Sequence, residues 1–114
     1  MKKIYWVSRH SPIRRQVDAL KKIYGEDVRI IQDPNPFSNA EEIVKRYRES
    51  GCDDILVVAP LSVIQRLVEL GVKPLWSEMQ VTKPEEADVS VNGRHYKFVK
   101  FRRVVGVKIE FQDL

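Results

Sequence analysis

The chain has 114 residues, 43% hydrophobic and 32% charged, with a formal net charge of +4, a composition ordinary for one compact soluble domain that folds alone. No apolar run approaches the ~20 residues needed to span a bilayer, and the start lacks the charged, apolar and small-residue sequence of a secretory signal, so a cytoplasmic protein with no membrane partner is expected. The single cysteine, Cys52, excludes an internal disulfide; with only His10 and His95 as imidazoles, no dedicated metal site and no cofactor are predicted. Cys52 sits between Gly51 and Asp53 with no neighbouring histidine to activate it, and reads as an inert thiol.

Lys3-Ile4-Tyr5-Trp6-Val7 reads as a buried strand. A helix follows over Ser11 to Tyr24, with Ile13, Val17, Leu20 and Tyr24 at helical spacing, Ser11 as N-cap, Pro12 as first helical residue and Gly25 as terminator. Val28-Arg29-Ile30-Ile31 makes a second strand, and Asp33-Pro34-Asn35-Pro36 forces an extended loop that cannot continue a sheet. Asp33 there is a turn starter or a partner for a ribose. A second helix, capped by Ser38 or Asn39 and stopped at Gly51, carries Glu41 and Glu42 in its first turn to complement the helix dipole.

Asp54-Ile55-Leu56-Val57-Val58-Ala59 is apolar without alternation, the mark of a central parallel strand covered on both faces. Pro60-Leu61-Ser62 turns into a third helix with Ile64, Leu67, Val68 and Leu70, closed by Gly71, and a fourth strand lies around Pro74 to Met79. After the polar break Lys83-Pro84-Glu85-Glu86 the pattern changes to period two: Asp88 to Val91 and Arg94 to Phe101 flank Asn92-Gly93, a hairpin dipeptide. Val105, Val107, Ile109 and Phe111 alternate with polar or small residues and predict a half-buried final strand. The predicted fold is therefore α/β: a single Rossmann-like domain over residues 1–114, a three-layer sandwich with a mainly parallel sheet from βα units in 1–80, and an antiparallel β-hairpin extension in 86–114.

The positive charge is uneven, because Arg94, Lys97, Lys100, Arg102, Arg103 and Lys108 follow one another with no acidic residue between Arg94 and Lys108. Such a strip either attracts a polyanion such as short RNA or keeps an exposed strand from aggregating. The corner Ser8-Arg9-His10-Ser11-Pro12 lies where an open α/β sheet binds ligands, and a capped helix start beside Arg9 and His10 suits a phosphate. Ser62, after the central strand, is expected on the same rim. No glycine-rich dinucleotide or P-loop fingerprint and no nucleophile elbow is present. The pocket predicted from these residues suits RNA phosphodiesters: a ribose 2′-OH held in line with its own 3′-phosphate would cleave without metal, with His10 or His95 as general acid.

Ser8 and His10 through Gln16, followed late in the chain by Tyr96-Lys97-Phe98-Val99-Lys100-Phe101-Arg102, resemble the two motifs of the small stand-alone CARF-like (CRISPR-associated Rossmann fold) ring nucleases. Phe98 stands where that family's run has a histidine, and Pro12-Ile13 replaces a Leu-Thr pair. The resemblance implies a homodimer that binds cyclic oligoadenylate at its two-fold axis and linearises it, a metal-independent phosphodiesterase; loss of the catalytic histidine would leave a binder. On this reading Ser8, Arg9, Ser11, Gln16 and Ser62 hold the ligand, Gln16 orienting a ribose or base, while His10, His95 and Arg102 serve cleavage. The alternative is a non-catalytic module, a single-stranded nucleic-acid binder or an accessory protein of a mobile element, using Arg94, Lys97, Lys100, Arg102 and Arg103, with Tyr96, Phe98 or Phe101 to stack.

Overall fold

Strands that are apolar on both faces need cover on both faces, and the computed structural model, which describes residues Met1–Leu114, provides it for β1 (Lys3–Val7) and β3 (Asp54–Val57). Around them lie α1 (Arg14–Tyr24), β2 (Arg29–Asp33), α2 (Ala40–Ser50), α3 (Leu61–Glu69), β4 (Leu75–Val81), a short 3-10 turn at Pro84–Glu86, β5 (Val89–Val91) and β6 (Arg94–Arg103). All the strands join one mixed sheet in the order β2-β1-β3-β4-β6-β5. β2, β1, β3 and β4 run parallel, while β6 is antiparallel to both β4 and β5.

Strand alternation divides the core between the two faces. Tyr5, Val7, Ile55 and Val57 pack with Ala40, Ile43 and Val44 of α2 and with Ile64 and Leu67 of α3. Ile4, Trp6, Leu56 and Leu75 face the other way, onto Leu20 of α1. Leu20 is fully buried, so its truncation to alanine should cost roughly 2–5 kcal/mol. The chain steps outward from β1 to β2 and then returns past β1 to β3, so strand order reverses between β1 and β3. The carboxyl ends of those two strands form the rim at which an open α/β sheet receives ligands.

Several boundaries differ from the sequence expectation for physical reasons. α1 starts at Arg14, with Ile13 as its extended N-cap, and not at Ser11. Ser11 precedes Pro12, which disfavours helical geometry there, and the Ser11 hydroxyl donates instead to Gln32 Oε1 at 3.0 Å. β2 runs on to Asp33 because the β1 ladder pairs Val7 with Asp33. β3 ends at Val57, two residues short of Ala59. α2 is capped as expected: Asn39 Oδ1 accepts the Glu42 N–H at 2.9 Å, and Gly51 at φ 68 closes it.

Asn92 (φ 51) and Gly93 (φ 76) take the paired left-handed geometry of a type I′ turn between β5 and β6. Between Glu78 and Met79 the β4–β6 register shifts, Glu78 facing Lys100 and Met79 facing Phe98, so Val99 is an extra residue in β6. The expected final strand does not form. After Arg103 the backbone has no regular structure, and Val105, Ile109 and Phe111 are 69%, 57% and 90% exposed; only Val104 and Val107 pack against the core. Alternation alone makes no strand: beyond Arg103 the one backbone bond to the sheet side is Val104 N–H to the Pro74 carbonyl, at 2.9 Å. The radius of gyration, 15.2 Å, exceeds the about 13 Å of a compact domain of this length, consistent with this projecting tail. No helix is long and apolar enough to cross a membrane.

Candidate functional site

The turn leaving β1 is braced from four directions. Ser8 Oγ accepts the His10 N–H (3.1 Å), the Trp6 indole donates to the His10 carbonyl (2.9 Å), and Gln32 Nε2 donates to the Ser8 carbonyl (3.1 Å). Gln16 Oε1 accepts the Ile13 N–H at 2.9 Å while Gln16 Nε2 donates to Ser77 Oγ at 2.9 Å. Backbone groups that a capped helix would have satisfied are thus satisfied by side chains. The side chains of Arg9 and His10 are exposed and join neither the hydrogen bonds nor the ion pairs that fix the loop. A rigid loop therefore presents an unpaired guanidinium and an imidazole at the rim, which is how a preorganised binding site is built.

Two recesses open on either side of this loop and share Ser8, His10 and Val58 as their common wall. The one on the α2 face, about 350 Å³, is lined by Arg9, Asp33 and Phe37 in addition. Its carboxylate is already engaged. Asp33 accepts the Tyr5 hydroxyl and the Asn35 N–H (3.0 Å), and Arg46 Nη1 lies 3.6 Å away. Burial opposes the Asp33 charge, but the Tyr5, Asn35 and Arg46 contacts outweigh it and hold the carboxyl below its ordinary range. The same Tyr5 phenol is pushed well up by burial and by Asp33. Asp33 acts as the turn starter, its charge offset by Arg46, so Arg9 leaves the recess open to an anion.

The recess on the α1 face, about 320 Å³, is mostly apolar: Trp6, Met79, Val89, Val91 and Tyr96 form its walls, with Ser11, Gln16 and Ser77 along one side. The β5–β6 hairpin therefore does fold against the rim, but it contributes apolar side chains there and not cations.

The other residues singled out in the sequence lie elsewhere. Ser62 is exposed in the first turn of α3 and lines neither rim recess. His95 alternates with Tyr96 along β6 and so faces away from the apolar recess; its Nδ1 lies 2.6 Å from Ser90 Oγ. Arg102 pairs with Glu78 at 3.2 Å on the sheet face opposite α1. His10, His95 and Arg102 are thus not assembled within one copy. Gln16 is buried and held by its two bonds, so it shapes the rim and is not free to orient a ribose.

The basic strip is also divided. Arg94 and Lys100 are exposed, and Lys97 lies 4.0 Å from Glu86. Arg103 does not belong with them: it grips Asp54 with both nitrogens (2.7 and 2.6 Å) and donates to the Lys73 carbonyl (2.9 Å). Tyr24 also donates to Asp54, at 2.6 Å. Burial works against the Asp54 charge, and Arg103 and Tyr24 reverse its effect, leaving the carboxyl below its ordinary range; Tyr24 is pushed up to about 12, chiefly by burial. Phe98 is buried and Phe101 packs edge-on to Trp6, so neither is available to stack a base. The only aromatic exposed on that outer face of β4 is Trp76, 38% exposed opposite Arg102.

Sequence reasoning missed Gln32, Ser77 and Met79. A glutamine directly after Ile30-Ile31 in β2 is the one available signal for Gln32; the other two become site residues only through the β4–β6 pairing. No family model matches the chain, and neither a curated protein nor a solved structure matches it.

Proposed function

We propose that the chain is a Rossmann-like three-layer sandwich of the CARF kind that binds a cyclic oligonucleotide, cyclic oligoadenylate in the first instance, at the β1/β3 rim as a homodimer. The observation that carries this reading is the braced Ser8–Ile13 turn, which holds the side chains of Arg9 and His10 without internal partners at the point where strand order reverses. Core packing of α1 on one sheet face and of α2 and α3 on the other supports the layered fold. A two-fold axis through the rim would set two such turns around one ring of phosphates.

Binding comes first in this reading. Of the residues assigned to cleavage only His10 stands at the rim. Any cleavage therefore rests on holding a ribose 2′-OH in line with its own 3′-phosphate: the 2′-oxygen bonds to phosphorus as its proton passes to water, the P–O5′ bond breaks to leave a 2′,3′-cyclic phosphate, His10 protonates the leaving 5′-oxygen and Arg9 offsets the developing charge. The test is incubation of the pure protein with cyclic and linear oligoadenylates, with and without chelator, reading retention and products. Retention of a ring at one per dimer, abolished by Arg9→Ala, is expected. Salt-sensitive binding of linear RNA that survives both Arg9→Ala and His10→Ala would refute this reading and favour the exposed cations Arg94 and Lys100, with the half-buried Lys97, as a single-stranded nucleic-acid surface.

A further inference from the structure

We propose that the apolar recess on the α1 face is a nucleobase site, taking a purine-type base whose phosphate lies in the neighbouring recess beside Arg9. The shape argues for it first. A hollow of about 320 Å³, within the range of small-molecule sites, is walled by the indole of Trp6, the thioether of Met79 and the ring of Tyr96, surfaces that suit a flat aromatic guest. The charge of the lining argues next: it contains no Asp or Glu, so nothing there would draw an organic cation, and the guest's charge must be carried elsewhere. Arg9, in the adjoining recess, is the place to carry it.

Connectivity supplies the third argument. Ser8, His10 and Val58 belong to both recesses, so one ligand can straddle the turn with its anionic part on the α2 face and its ring on the α1 face. His10 and Tyr96 line the apolar recess, and neither side chain is spent on a hydrogen bond within the chain, so both have polar groups to offer the edge of a base. Gln16 and Ser77, bonded to each other at 2.9 Å, form a fixed polar side wall. The hairpin residues Val89 and Val91 complete the enclosure, which gives the β5–β6 extension a role at the rim. This assignment rests on the proposed function only for the phosphate; the base site stands on its own lining.

Trp6 reports on the recess directly, because it is one of two tryptophans and lines the recess from within the core. Trp76, on the outer sheet face, is removed as a competing signal by Trp76→Phe. In that background, titration with adenosine and with adenosine 5′-monophosphate is expected to change Trp6 emission saturably, the monophosphate binding the more tightly. Arg9→Ala should reduce the affinity for the monophosphate to that for adenosine. Val91→Glu, a substitution at a 44% exposed lip position, should leave the melting temperature in place and weaken both compounds by about tenfold or more, since a carboxylate would enter an apolar site. Binding that leaves Trp6 emission unchanged, or that Val91→Glu does not weaken, would overturn the assignment. If adenosine and its monophosphate bind as stated but cyclic oligoadenylate does not, the proposed function falls and the base site stands. If the ring binds without any response from Trp6, the base site falls alone.

Discussion

Replacing Arg103 with alanine separates a structural cation from a nucleic-acid contact. Arg103 makes two charge-assisted bonds to Asp54, at 2.6 and 2.7 Å, and a third bond to the Lys73 carbonyl. Bonds of this kind contribute about 1.5–3 kcal/mol when sheltered. The guanidinium is 40% exposed and the carboxylate only 14%, so screening on the arginine side reduces the expected loss to roughly 1–2 kcal/mol. With an unfolding entropy of ~0.24 kcal/mol/K for a chain of this length, that loss lowers Tm by about 4–8 °C. Calorimetry of the wild type, Arg103→Ala, Asp54→Asn and the double variant forms a cycle in which the coupling should account for most of the loss.

The pH dependence adds a second check. The Asp54 carboxyl is held below its ordinary value of 3.8 in the folded chain, so its contribution is present above about pH 4 and is lost as pH falls through the depressed folded value. The gap in Tm between wild type and Arg103→Ala should therefore be full at pH 7 and shrink as the solution is acidified below about pH 4. Additive single variants, or an Arg103→Ala protein with unchanged Tm that loses affinity for RNA, would refute the assignment of Arg103 to the fold.

Two further outcomes test the rim and the tail. Gln16→Ala removes the two bonds by which Gln16 ties the turn to Ser77 and leaves the Ile13 N–H without its partner; it should cost roughly 1–3 kcal/mol, read as a lower Tm and a shifted Trp6 emission, and a variant melting with the wild type would show that Gln16 does not brace the loop. Truncation after Val107 removes Ile109 and Phe111, which are 57% and 90% exposed, so Tm should move by no more than a few degrees, as for surface changes worth about 0.5 kcal/mol; a large drop would mean that the tail packs somewhere.

The βα part of the fold was legible because its signals are local: unbroken apolar runs at Ile4–Val7 and Ile55–Val57, helical spacing of buried residues, and Asn92-Gly93 between alternating segments. Legibility failed where a partner far along the chain decides the outcome. Ser11 looked like a cap, yet Gln32, 21 positions away, takes its hydroxyl. Arg103 looked like its neighbours in a basic strip, yet Asp54, 49 positions away, takes its charge. Phe111 alternates as a strand residue should, yet the chain after Arg103 forms no strand. Ser8, Arg9 and His10 follow β1 at the β1/β3 rim, an address that comes from strand order, whereas the apolar recess beside them depends on a hairpin packing that no local pattern encodes.

Val99 reaches beyond its own position, because that single inserted residue changes the parity of everything after it. Phe98 and Phe101 are three apart, a spacing that would put them on opposite sides of an unbroken ladder, yet both rings meet at 4.9 Å on the α1 side. Downstream, the same phase change turns Arg103 inward to Asp54 and Arg102 outward to Glu78. Deleting Val99 would leave Glu78 opposite Lys100 and both arginines in their present surroundings, whereas absorbing Val99 into the ladder would set Arg102 opposite Leu75 and turn Arg103 outward. Which of two identical side chains ties down the sheet, and which meets the solvent, is settled by an irregularity several residues upstream of either.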